Sequence, residues 1–137
     1  MIKHPYLRAY LAGIAVPTLF LLLIMTAYTF LRYIYNIPVP IERVIVFPMA
    51  AVPNLWGLWN VLYTASLARR NFSLGLFGGI LPLLLAPVGY GVARLLDFSI
   101  PSIVYSAFPF VFPAGLILYY LAWKHIVGFL NHELGIA

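Results

Sequence analysis

Apolar side chains fill four long stretches of this chain, at about 9–31, 44–68, 74–96 and 103–127, and polar residues collect between them. Each stretch reaches the roughly 20 residues that an α-helix needs to cross a hydrocarbon core of about 30 Å. None shows the alternation of polar and apolar positions, over roughly ten residues, that marks a strand of a membrane barrel. The pattern predicts an all-α integral membrane protein, with residues 1–137 forming a single transmembrane domain of four helices.

The connections between stretches carry helix-breaking and helix-starting signals. Pro38 and Pro40 follow the first stretch, and each biases the residue before it away from the helical region. Arg70-Asn71-Phe72-Ser73 makes a short polar turn, with Ser73 placed as the N-cap of the third helix. Asp97-Phe98-Ser99-Ile100-Pro101-Ser102 closes the second pair, and Ser102 is the expected cap of the fourth. Connections this short make consecutive helices antiparallel neighbours, so the expected architecture is a four-helix bundle of two antiparallel hairpins. The first stretch exceeds the ~7–15 apolar residues of a secretory signal and ends at Arg32-Tyr33, which favours a retained span.

Composition sharpens this picture. Of the 137 residues 64% are hydrophobic and 8% charged, with a mean hydropathy of +1.01. Soluble domains are about one-quarter charged, and a small one exposes too much surface to hide so many apolar groups. The net charge of +5 comes from eight Lys and Arg against three acids, placed at the ends of the apolar runs. No Lys/Arg-rich tract or polar domain is present to hold a nucleic-acid backbone. With four crossings, Lys3, Arg8, Arg69, Arg70 and Lys124 share one side, and Arg32, Arg43 and Arg94 the other. The excess on the first side places both termini in the cytoplasm. Compactness and the lack of a sorting signal point to the inner membrane of a bacterial cell. Tyr6, Tyr10, Tyr63 and Trp123 are expected toward the inner headgroup level, and Tyr28, Tyr33, Tyr35 and Tyr105 toward the outer.

Prolines fall in every stretch: Pro17; Pro48 and Pro53; Pro82 and Pro87; Pro109 and Pro113. With no charge near them they are read as static kinks. Gly13, Gly75, Gly79 and Gly89 are candidate close-packing positions, because a small residue lets two helix backbones approach. The first and third stretches share a Gly four residues before a Pro, Gly13–Pro17 and Gly78–Pro82. The offset of further matches shrinks along the chain, so this is read as recurrence of Gly and Pro rather than duplication.

The richest chemistry lies in 53–64, where Trp56, Asn60, Tyr63 and Thr64 fall on or near one helical face. An amide in hydrocarbon must find a hydrogen-bond partner, so Asn60 is expected to face another helix. The same face is the candidate binding wall for a solute, with the Trp56 indole as platform and Asn60 and Tyr63 orienting. Catalytic groups are not apparent. Glu42, Asp97 and Glu133 are the only acids, and all lie outside the apolar stretches. His4, His125 and His132 lie near the ends, without metal-ligand spacing, and the chain has no cysteine. No cofactor or metal is therefore expected. A carrier driven by protons would need an ionisable group at mid-depth. The expected function is that of a non-catalytic subunit or scaffold, packing in the lipid bilayer against other membrane-protein subunits or itself. The alternative is a small oligomeric carrier or binder of a neutral, largely apolar solute.

Overall fold

A computed structural model of the chain describes residues 3–67 and 70–136. Four of its helices are long and apolar enough to cross a membrane: α1 (Pro5–Tyr33), α2 (Ile41–Ser66), α3 (Leu74–Leu95) and α4 (Ser102–Glu133). Each coincides with one apolar stretch. The expected end of the second stretch at Ala68, and the neighbouring Arg69, lie outside the described residues. At the other end of the chain, α4 runs past the expected stop at Val127 to Glu133.

Local chemistry sets the helix ends. Pro5 sits in the first turn of α1, where its missing N–H has no helical partner to lose. Asn36 (φ 57°) and Asp97 (φ 54°) turn the chain left-handed after α1 and α3, a conformation that Asn and Asp tolerate better than most side chains. Ser73 caps α3 as expected, its hydroxyl accepting the Leu76 N–H at 3.3 Å. The expected cap at Ser102 gives way to Pro101, whose restricted φ leads into the first turn, and Ser102 is already helical. Gly135, at φ 73°, closes α4. The Gly135 N–H bonds the His132 carbonyl at 3.0 Å, and the Ile136 N–H bonds Asn131 at 2.7 Å.

The helices absorb their prolines locally. Pro48 lies in a widened π-helical turn, Ile45–Met49, and α3 is interrupted at Ile80, two residues before Pro82. Further π turns occur at Tyr63–Leu67 and Ala122–Val127.

Contacts between α1 and α2 run in opposite chain order. Arg32 pairs with Glu42, Gly13 lies on Gly57, and Ala9 meets Asn60. The α3–α4 pair repeats the arrangement, with Gly75 against Lys124, Gly78 against Trp123 and Gly79 against Leu116. Two glycines make these approaches possible. A Cβ on Gly13 would stand 2.6 Å from the Trp56 carbonyl oxygen, and one on Gly78 would overlap the Trp123 indole. Trp56 and Trp123 then meet, with ring centroids 5.1 Å apart. They anchor a core with Leu81, Leu85 and Val127. Trp123 is fully enclosed there, because the gap beside Gly78 accepts its ring. Outside this core large apolar groups stay uncovered, among them Leu23, Leu95 and Phe110. The first 20 residues of α4, Ser102–Leu121, include no buried residue.

Candidate functional site

The second half of α2 carries two rows of side chains spaced four residues apart, and they face different neighbours. Trp56 and Asn60 point toward α1 and α4, whereas Trp59 and Tyr63 point toward α3. The four residues singled out from the sequence therefore do not form one wall.

Asn60 is wholly buried, and so is Asn131 near the end of α4. The Asn60 amide donates to the Ala9 carbonyl at 2.7 Å and to Asn131 Oδ1 at 2.8 Å. Asn131 returns a bond from Nδ2 to Asn60 Oδ1 at 3.1 Å. Three helices thus meet at one amide pair. Asn131 is reached because α4 continues past Lys124-His125, and because of the π turn at Ala122–Val127. A four-residue step along an α-helix rotates the side chain by about 40° beyond a full turn. The wider π turn rotates it back, which keeps Trp123, Val127 and Asn131 on the inner side. Sequence inspection missed Asn131 because hydropathy falls near Lys124. The signal available was the four-residue repeat Trp123, Val127, Asn131.

The other row is equally engaged. The Trp59 indole donates to the Phe77 carbonyl at 2.7 Å, close to the interruption of α3, and stacks on the Phe77 ring at 4.6 Å. Tyr63 donates its hydroxyl to the Phe72 carbonyl at 2.5 Å, fastening the α2–α3 connection. Thr64 donates to the Asn60 carbonyl one turn back, at 2.9 Å. Trp56 donates a long bond, 3.4 Å, to the Tyr119 hydroxyl. Among the described residues, Trp123 Nε1 is the fully buried side-chain nitrogen left without a partner.

Of the candidate packing glycines, Gly13 faces α2, Gly75 and Gly79 face Tyr120 of α4, and Gly89 faces the Phe47 ring. Gly57 and Gly78 make equally close approaches and belong with them. Arg8 reaches from α1 to the Leu134 carbonyl at 3.0 Å, placing a cation at the C-terminal end of α4.

Apolar clefts lie between the helices, and two of them reach about 420 Å³ or more. One, of about 420 Å³, lies between α1, α2 and α4 and is lined by Pro17, Leu21, Pro48, Val52, Trp56 and Tyr119. It takes in Trp56 but not Asn60, Tyr63 or Thr64. The other, of about 610 Å³, lies between α3 and the start of α4, with Phe47 of α2 on its wall. Among the described residues no three His, Asp or Glu side chains gather as a metal site would require. His4, His125 and His132 are all exposed. What the arrangement offers chemically is apolar volume beside hydrogen bonds that are already closed. A comparison of the chain with known proteins finds no matching family model, no matching curated protein and no matching solved structure.

Proposed function

We propose that this chain is a non-catalytic, multi-pass membrane protein of two antiparallel hairpins, acting as a subunit or scaffold that packs against partner helices or a second copy of itself. One observation carries the proposal: the outward surface of α4. None of its first 20 residues is fully buried within the chain, and the aromatic side chains of Tyr105, Phe108 and Phe110 stand exposed on it. Aromatic residues supply much contact area with little conformational entropy to lose, which favours them at contacts between chains. Apart from the Trp123 indole nitrogen, the buried polar side chains of the bundle are engaged with one another or with backbone, which supports a structural part rather than a reaction centre. Location in a bacterial inner membrane belongs to the same proposal, and so does a cytoplasmic position for both termini, which the distribution of basic residues supports.

A photo-reactive residue in place of Phe110, activated in native membranes, tests the partner assignment. A discrete protein adduct is expected. Adducts with lipid alone, together with recovery of a lone monomer in mild detergent, would overturn it.

The cleft of about 420 Å³ favours a second reading, a binder or carrier of a neutral apolar solute working as an oligomer. Ala122 lines that cleft. An Ala122→Leu variant that fills it should lose solute binding in proteoliposomes, and an unchanged profile removes the site.

A further inference from the structure

The larger cleft opens at the end of the bundle where α1 joins α2 and α3 joins α4. Its walls are Phe47, Gly89, Ala93, Val104 and Phe108, and the only polar side-chain atoms on its lining are the hydroxyls of Tyr90 and Tyr105. A smaller cleft of about 200 Å³ shares Phe47, Gly89 and Ala93 with it and extends toward the connections, where Arg43 forms part of the wall. An apolar slot thus leads to a cationic mouth.

Arg43 donates to the Ser99 carbonyl at 3.2 Å and lies over the Phe98 ring, 5.6 Å from its centroid. Arg94 lies over the ring of Tyr90, which lines the larger cleft, at 5.9 Å. Among the described residues neither arginine has a carboxylate within 4.0 Å. Glu42, beside Arg43, is paired with Arg32, so Asp97 is the remaining acid at this end. Among the described residues, Arg43 and Arg94 thus carry two positive charges at this end that no carboxylate pairs. Guanidinium matches phosphate with a planar fork of N–H donors, and long arginine stems reach from apolar surface to headgroup level.

We infer that this cleft binds one phospholipid with an anionic headgroup, its acyl chain lying between α3 and α4 and its phosphate held by Arg43 and Arg94. A neutral apolar ligand would fill the slot but leave the charge at its mouth unanswered. The inference rests on the membrane-spanning part of the proposal above and is independent of any protein partner.

The test uses the full chain purified in a non-ionic detergent. It is incubated with phosphatidylglycerol or with phosphatidylcholine of the same acyl chains, and bound lipid is counted by native mass spectrometry. One phosphatidylglycerol is expected per chain, held at least about fivefold more tightly than phosphatidylcholine. Arg43→Gln and Arg94→Gln should each weaken retention about fivefold, and the double variant about 25-fold, since a basic side chain near an anionic surface contributes about that factor. Both arginines are exposed, so helical content and elution volume serve as controls that should not move. Ala93→Leu, which narrows the slot, should abolish retention of either lipid, and glycerol phosphate in excess should displace neither. Equal retention of the two lipids, indifference to the arginine substitutions, or displacement by glycerol phosphate each overturns the inference. A chain that never enters membranes would instead defeat the membrane reading itself.

Discussion

Asn60 and Asn131 exchange two amide hydrogen bonds, at 2.8 and 3.1 Å, and join α2 to the end of α4 across 71 residues of chain. Both side chains are fully enclosed, so removing one leaves the other amide without water to replace it. A hydrogen bond between membrane helices is worth only about 0.6–2 kcal/mol. The unpaired survivor adds a penalty of similar size. Asn60→Leu and Asn131→Leu should therefore each lower stability by about 1–2 kcal/mol, with Asn60→Leu the costlier because it also loses the bond to Ala9. The double variant should lose clearly less than the sum. Unfolding by SDS in mixed micelles measures all three, and strict additivity would show that the pair does not couple the helices.

The contact of Gly13 with α2 is backbone against backbone, so no side chain there can rotate away. With a Cβ placed 2.6 Å from the Trp56 carbonyl oxygen, Gly13→Ala forces the two helices apart and should cost about 1–3 kcal/mol. Gly115 in α4 has nothing within 4 Å of the same position. There the substitution should be neutral or gain up to about 1 kcal/mol through helix propensity. The same micelle titration distinguishes the two, and equal effects would contradict the packing described.

Trp59 combines a stacked ring with one hydrogen bond, and the two contributions separate by substitution. Trp59→Phe keeps a ring over Phe77, now at 4.6 Å and 11° between planes, but removes the 2.7 Å bond to its carbonyl. The expected loss is about 1 kcal/mol. Trp59→Ala should lose about 3 kcal/mol or more, because the buried aromatic area goes with it. If the two variants unfold alike, the ring contributes nothing to holding α3.

The four helices were legible because hydropathy over some 20 residues is dominated by side chains rather than by tertiary context. The Ser73 cap was legible for a similar reason: its chemistry is local. Asn60 could be assigned to a helix contact because an amide has so few ways to be satisfied in an apolar surround. Its partner could not be read. Asn131 follows Lys124 and His125, which look like the end of a span, and only the π turn brings it inward. The separation of Tyr63 from Asn60 was hidden too, since residues three apart can belong to one broad face or to two adjacent rows. Which holds depends on where α3 sits, and that is set by Gly78 accepting the Trp123 ring.

Orientation remains the most direct property to measure, and the chain suits it because it contains no cysteine. Single cysteines can be placed at exposed positions in each connection: Tyr35→Cys after α1, Phe72→Cys between α2 and α3, Ser99→Cys after α3, and Glu133→Cys at the end of α4. Five basic residues on the side of the termini against three on the other predict an asymmetric result. The cysteines at 35 and 99 should react with a membrane-impermeant maleimide in intact cells. Those at 72 and 133 should react only after permeabilisation. The reverse pattern would keep the bundle and invert it, which the small excess of two charges makes a real contest. Reaction of all four from the same side would be worse for the proposal, because helices that each cross the bilayer once put successive connections on alternate sides, and the four helices would then not each traverse it.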